Sequence, residues 1–199
     1  MNKQIARQSA LAQLKARPRT LRQYQSALVR RHLTKLLRSI RYKNVLIYLP
    51  MEFEAAITAC FLPKKRGVKI YAPFIEGVSF KMVEYRLPLK RQLGIFAPTQ
   101  STREIKKVDV MIVPVLAVDA AFKRIGFGRG MYDRFVAALA NKPIVIFVQP
   151  FLVQILQVIT GEWDIRGDFL VSAKGVIQRR GNQNDRDIHR HSRLRSGMR

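Results

Sequence analysis

Four short runs rich in β-branched and aromatic residues punctuate the chain, and stretches of helical periodicity fall between them. The runs are Asn44–Leu49 (NVLIYL), Val68–Ala72 (VKIYA), Asp109–Val115 (DVMIVPV) and Ile144–Val148 (IVIFV). Near-continuous apolar runs of this length read as strands covered on both faces, the usual state of a parallel sheet. Phe80–Tyr85 and Phe169–Val171 are weaker strand candidates. Helical spacing marks residues 1–16, through Ile5, Ala6, Leu11 and Leu14, and again Thr20–Ile40. Pro18 interrupts the first helix or opens the second. Glu54–Phe61 and Asp133–Leu139 also read as helix. Strands alternating with helices predict an α/β fold with a mostly parallel central sheet.

At 199 residues the chain fits one domain plus a tail. The expected domain spans residues 1–175. Residues 176–199 are Arg-rich and poor in apolar groups, so they are expected to stay unfolded. The lone Cys60 lies in an apolar run and is expected to be a buried thiol. No run approaches the roughly 18 apolar residues of a membrane span, and no apolar stretch backs Met1–Gln4 as in a signal peptide, so cytoplasm is the expected location.

Charge is the unusual feature. Lys and Arg number 37 against 13 Asp and Glu, a net charge of +24, and no acidic residue precedes Glu52. Such an excess favours anionic partners: nucleic acid, anionic lipid or nucleotides. No zinc-finger spacing or RNP-type aromatic motif is present, so no specific nucleic acid is expected. His32, His189 and His191 show no metal-ligand spacing.

The segment with most chemical content runs from Val113 to Asp119 and on through Lys123-Arg124-Ile125-Gly126-Phe127-Gly128-Arg129-Gly130-Met131-Tyr132-Asp133-Arg134. A strand leads into a loop with glycine at every second position, and a helix follows. Glycine lets backbone N–H groups approach an anion, and a helix start adds positive potential. Arg124 and Arg129 supply full charges. Asp133 stands where a carboxylate could hold a metal ion beside phosphates. The spacing is neither the GxGxxG dinucleotide fingerprint nor a Walker loop. A flexible turn reads equally well from spacing alone.

This string resembles the signature of the 5-formyltetrahydrofolate cyclo-ligases, V-P-G-x-A-F-D followed by R-L-G-Y-G-G-G-Y-Y-D-R. The chain keeps the Val-Pro, Ala117, Asp119, Arg124, Gly126, Gly128, Gly130, Tyr132, Asp133 and Arg134. It departs at Val115, Val118, Phe122, Arg129 and Met131. The likeness runs from about residue 3 to about residue 172 and is weak between Glu76 and Lys107.

The resemblance implies a single three-layer domain like those of the NagB/RpiA/CoA-transferase-like folds. It implies ATP and Mg2+ as cofactors and a reduced folate as substrate. Lys3 and Arg7, four residues apart, would contact ATP phosphates together with Arg124, Gly126, Phe127, Gly128, Arg129, Gly130, Met131 and Tyr132. Leu49, Met51 and Glu54 would lie against the folate with Phe127 and Tyr132, and Glu52 competes with Glu54. Arg124 and Tyr132 would act in catalysis. Asp133 and Asp164 would hold the metal, with Asp168 as the alternative to Asp164. The family's Gly-Ile-x-Glu-Pro appears as Gly94-Ile95-Phe96-Ala97-Pro98, so Ala97 inherits no role, and Trp163 replaces the family's His or Asn before Asp164. The reaction implied is ATP-driven closure of 5-formyltetrahydrofolate to 5,10-methenyltetrahydrofolate. The competing expectations are a basic nucleic-acid-binding protein and an inactive relative of the same fold.

Overall fold

The computed structural model describes residues 2–62, 65–92, 95–98, 105 and 107–180. Helix α1 (Lys3–Lys15) starts at Asn2, whose side chain accepts a hydrogen bond from Ile5 N at 2.9 Å. This satisfies one orphan donor of the first turn. Pro18 then immediately precedes α2 (Arg19–Ser39).

Strands β1 (Asn44–Leu46), β2 (Lys69–Glu76) and β3 (Ser79–Glu84) are followed by the small hairpin β4 (Lys90–Gln92) and β5 (Ile95–Ala97). Next come β6 (Val110–Pro114), the two-residue pair β7 (Ala117–Val118) and β8 (Arg124–Ile125), and helix α3 (Met131–Ala137). Strands β9 (Ile144–Val148), β10 (Phe169–Ser172) and β11 (Gly175–Gln178) complete the order. Seven strands form the main sheet in the order β11-β10-β9-β6-β1-β2-β3. The inner pairings from β10 to β2 are parallel, and the two edge strands β11 and β3 are antiparallel. The expected mostly parallel α/β sheet is the observed one.

Period-two alternation divides the core. Val45, Ile112, Ile146 and Val171 meet Val29, Leu33 and Leu37 of α2 on one face. Leu46, Met111, Val113, Phe147 and Leu170 share the other face with Phe135 of α3. Each such side chain contributes about 1.5–3 kcal/mol through burial. Helix α1 forms a third, smaller cluster, setting Ala6, Ala10 and Leu14 against Leu116, Ala117 and Ile125.

Three expectations are corrected. Only Thr58–Phe61 is helical in the stretch expected to be helix from Glu54, and it is a single 3-10 turn. The preceding backbone groups bond elsewhere: Ala55 O accepts from the Tyr48 hydroxyl at 2.6 Å, and Ala56 N donates to Ser26 Oγ at 3.3 Å. The run expected as one strand to Leu49 keeps ladder pairing only to Leu46. Strand β11 crosses the expected tail boundary at residue 176, because its backbone completes the ladder of β10. Residues 181–199 of the expected tail, and Gly94, lie outside the described residues.

Candidate active site

In the sheet order, β1 leads to β2 on one side, while β6 leads to β9 on the other. Ligands of open parallel sheets bind beyond the strand carboxyl ends at such a reversal. A cleft of about 370 Å3 lies there. Tyr48 and Leu49 follow β1 into it, and Pro114 ends β6 beside it. Met51 and Glu54 close one side, and Pro73, Ile75 and Phe80 from β2 and β3 form an apolar wall. Arg124, Phe127, Gly128, Arg129, Gly130, Met131 and Tyr132 bring in the glycine loop. All five residues expected against a folate, Leu49, Met51, Glu54, Phe127 and Tyr132, therefore share one cavity with most of the loop.

The loop is shaped by two positive φ angles, +106° at Gly128 and +61° at Gly130, which favour glycine. Arg7 lies along it: its Nε donates to Gly126 O at 2.8 Å, and a Cβ on Gly128 would stand 3.5 Å from its guanidinium. Arg134 clips the loop to the β2–β3 turn by donating to both Arg129 O and Val78 O. Helix α3 is only seven residues long, so arginines rather than a helix dipole carry most of the positive charge here.

Arg124 is 6% exposed. It donates to both carboxylate oxygens of Asp133, at 3.0 and 2.8 Å, and its guanidinium lies 5.2 Å from the centre of the Tyr132 ring. Burial acts to raise the pKa of Asp133, but Arg124 and the N–H of Ile165 outweigh it and hold the carboxyl below its ordinary value. Asp164 is ion-paired to Lys3 and accepts from Gly161 N at 2.8 Å. Each expected metal ligand is thus held by an expected phosphate ligand. Lys3, Arg7, Gly126, Asp133 and Asp164 are not among the residues lining the cleft.

Asp168, the alternative to Asp164, is committed elsewhere. It accepts from Val145 N at 2.9 Å and pairs with Arg179 at 3.3 Å. Glu52 is exposed, 3.9 Å from Arg22, and outside the cleft, so Glu54 is the acid that faces it. Burial pushes the Glu54 carboxyl up to about 7, although the N–H of Met51, at 2.9 Å, pulls the other way. Burial, then the charge of Glu54, raise the Tyr132 phenol.

Sequence reasoning missed Tyr48, Pro73, Ile75, Phe80 and Phe96 as lining residues. Phe80, which meets the Tyr132 ring edge-on at 5.0 Å, carries no motif that would have revealed it. Asp119 was found without a role. The structure supplies one: Ala121 N and Lys123 N donate to one of its oxygens, and Ile159 N, Thr160 N and Thr160 Oγ1 to the other. Burial alone would raise its pKa, yet these donors hold it below the usual carboxylate range. Asp119 ties the base of the glycine loop to the 159–160 segment.

The arrangement joins an apolar, aromatic wall with one carboxyl group to a backbone loop ringed by cations. It suits a flat heterocycle at one end and phosphates at the other. A sequence model of the 5-formyltetrahydrofolate cyclo-ligase family matches residues 1–182. The 5-formyltetrahydrofolate cyclo-ligase of Haemophilus influenzae is 26% identical over 184 residues, covering 83% of this chain and 96% of that protein. The enzyme of that name from Mycoplasma genitalium is 26% identical over 134 residues, 65% of this chain and 72% of its own. The solved structure of Aquifex aeolicus 5,10-methenyltetrahydrofolate synthetase superposes with a TM-score of 0.75 at 26% identity, covering 92% of this chain and 96% of that one.

Proposed function

The chain belongs to the 5-formyltetrahydrofolate cyclo-ligase family and is an enzyme of that class, and on that premise we propose that it converts 5-formyltetrahydrofolate and ATP to 5,10-methenyltetrahydrofolate, ADP and phosphate. The formyl oxygen attacks the γ-phosphorus and ADP leaves. The folate's second amine then attacks the activated carbon and loses its proton, and phosphate departs with the former formyl oxygen.

The observation that carries this reading is the single cleft shared by Glu54, the apolar wall and the glycine loop. The wall and Tyr132 receive the pterin, and Glu54 hydrogen-bonds its polar edge. The loop N–H groups, Arg7 and Arg129 receive phosphates. Phosphoryl transfer asks mainly for positioning and charge neutralisation, so the reading calls for no side-chain nucleophile.

A magnesium ion fits the donor set. It prefers one or two carboxylates completed by phosphate oxygens and water. Asp133 and Asp164 offer two, and no group of three or more His, Cys, Asp or Glu forms a self-sufficient site among the described residues. When bound, the ion would neutralise charge on the transferring phosphoryl. Lys3 and Arg124, on leaving their carboxylates for phosphate oxygens, would free both acids.

The test is direct. Purified protein, ATP, Mg2+ and 5-formyltetrahydrofolate are expected to give the rising absorbance of the methenyl product, with one ADP formed per product. ADP without methenyl product, or no turnover by folded protein, would overturn the proposal.

A further inference from the structure

Helix α2 turns Val29, Leu33 and Leu37 into the core and leaves another face uncovered among the described residues. Tyr24, Arg31, Lys35 and Arg38 are all exposed, Tyr24 by 62%. They are spaced by seven, four and three residues, which places them in one line along about 21 Å of helix.

Three features separate this line from an ordinary solvated face. First, such faces interleave acids with bases at three- and four-residue spacing. Here the first 51 residues hold 12 Lys and Arg and no acid. Second, neither Arg31, Lys35 nor Arg38 has an ion pair among the described residues. Arg31 and Lys35 stand one turn apart and repel each other, so the isolated helix gains nothing from them. Third, the line carries a solvent-facing aromatic ring.

Cations repeating at about 5–6 Å with an exposed ring are the elements of a single-strand platform, in which charges track phosphates and the ring stacks on a base. A lipid surface fits less well. An interfacial helix needs an apolar stripe on its free face, whereas Val29, Leu33 and Leu37 of α2 are buried in the core and only Leu21 and Tyr24 of its large apolar residues are exposed. Helix α2 packs on the opposite sheet face from α3, and none of the four residues of the line is among those lining the cleft.

We propose that this face of α2 is a docking surface for single-stranded nucleic acid, Arg31, Lys35 and Arg38 taking phosphates and Tyr24 stacking on a base. The surface serves a binding function separate from catalysis.

Fluorescence anisotropy of a labelled oligouridine 20-mer, titrated with the full chain at several salt concentrations, tests it. Wild type is expected to bind with a steep salt dependence. The triple variant Arg31→Gln, Lys35→Gln, Arg38→Gln removes repulsion as well as charge, so its circular dichroism and melting should match wild type. Its affinity is expected to fall at least tenfold, and its log–log salt slope to become shallower by about 2, the value for three single-strand phosphate contacts. Tyr24→Ala should weaken binding with the slope unchanged. Three results would overturn the proposal: no binding by wild type, equal affinity and slope in the triple variant, or binding of phosphatidylglycerol vesicles at salt concentrations where the RNA is not held.

Discussion

Asp119 and Asp133 bracket the glycine loop and are held in opposite ways. Asp119 is 3% exposed and takes four backbone N–H groups and one hydroxyl. Those donors belong to fixed chain and cannot leave without unfolding two loops. Asp133 is held mainly by Arg124, a side chain that can turn to another anion. Two carboxylates of one motif thus divide the work: one builds the loop and the other stays exchangeable. Lys3 with Asp164 repeats the exchangeable pattern.

The comparison breaks most visibly at Asp119. Asp119→Ala takes the acceptor from five part-buried donors and is expected to cost roughly 3–5 kcal/mol, lowering the melting temperature by about 10 °C or more. A melt within two degrees of wild type would erase the distinction. Asp133→Asn should be milder in the fold and stronger in function. The amide keeps an acceptor for Ile165 N but loses the charge a hard cation requires. Half-maximal rate should then need roughly tenfold more Mg2+, and superimposable Mg2+ titrations would remove Asp133 from the metal site.

The smallest effect concerns Glu54, whose support among the described residues is one backbone N–H, that of Met51. Its folded pKa is raised to about 7 from 4.5. The folded chain therefore holds the proton that the unfolded chain has released, and this group's contribution to stability falls as pH rises from about 4.5 to 7. Glu54→Gln should flatten that part of the melting-temperature profile. An unchanged slope would show that the carboxyl titrates normally.

Much of this was legible in the sequence for a physical reason. Strands β6 and β9 are covered on both faces, so the same residues that pack also mark the strand. The glycine loop was legible because backbone with positive φ at Gly128 and Gly130 restricts the residue types it accepts. Phe80 and Ile75 were not, since their place in the cleft follows from the β2–β3 pairing rather than from local spacing. Residues 54–57 misled because apolar content resembled a helix face, while the side chains of Tyr48 and Ser26, outside the stretch, claimed the backbone bonds. Strand β11 was hidden in an Arg-rich stretch, where its alternation of half-buried and exposed residues is an edge-strand pattern too short to stand out.

Helix α1 rests on the domain through small side chains, Ala6 and Ala10, with Leu14 as its one large buried anchor. A contact of that size is expected to let it detach as a separate cooperative unit while the seven-stranded sheet stays folded. Yet it carries Lys3 and Arg7, so detachment removes at once the partner of Asp164 and the arginine bonded to the glycine loop. Heat is therefore expected to inactivate the enzyme some degrees below its global unfolding, with fast amide exchange confined to residues 3–15. If nucleotide binds as proposed, bridging α1 to the glycine loop, it should merge the two transitions into one.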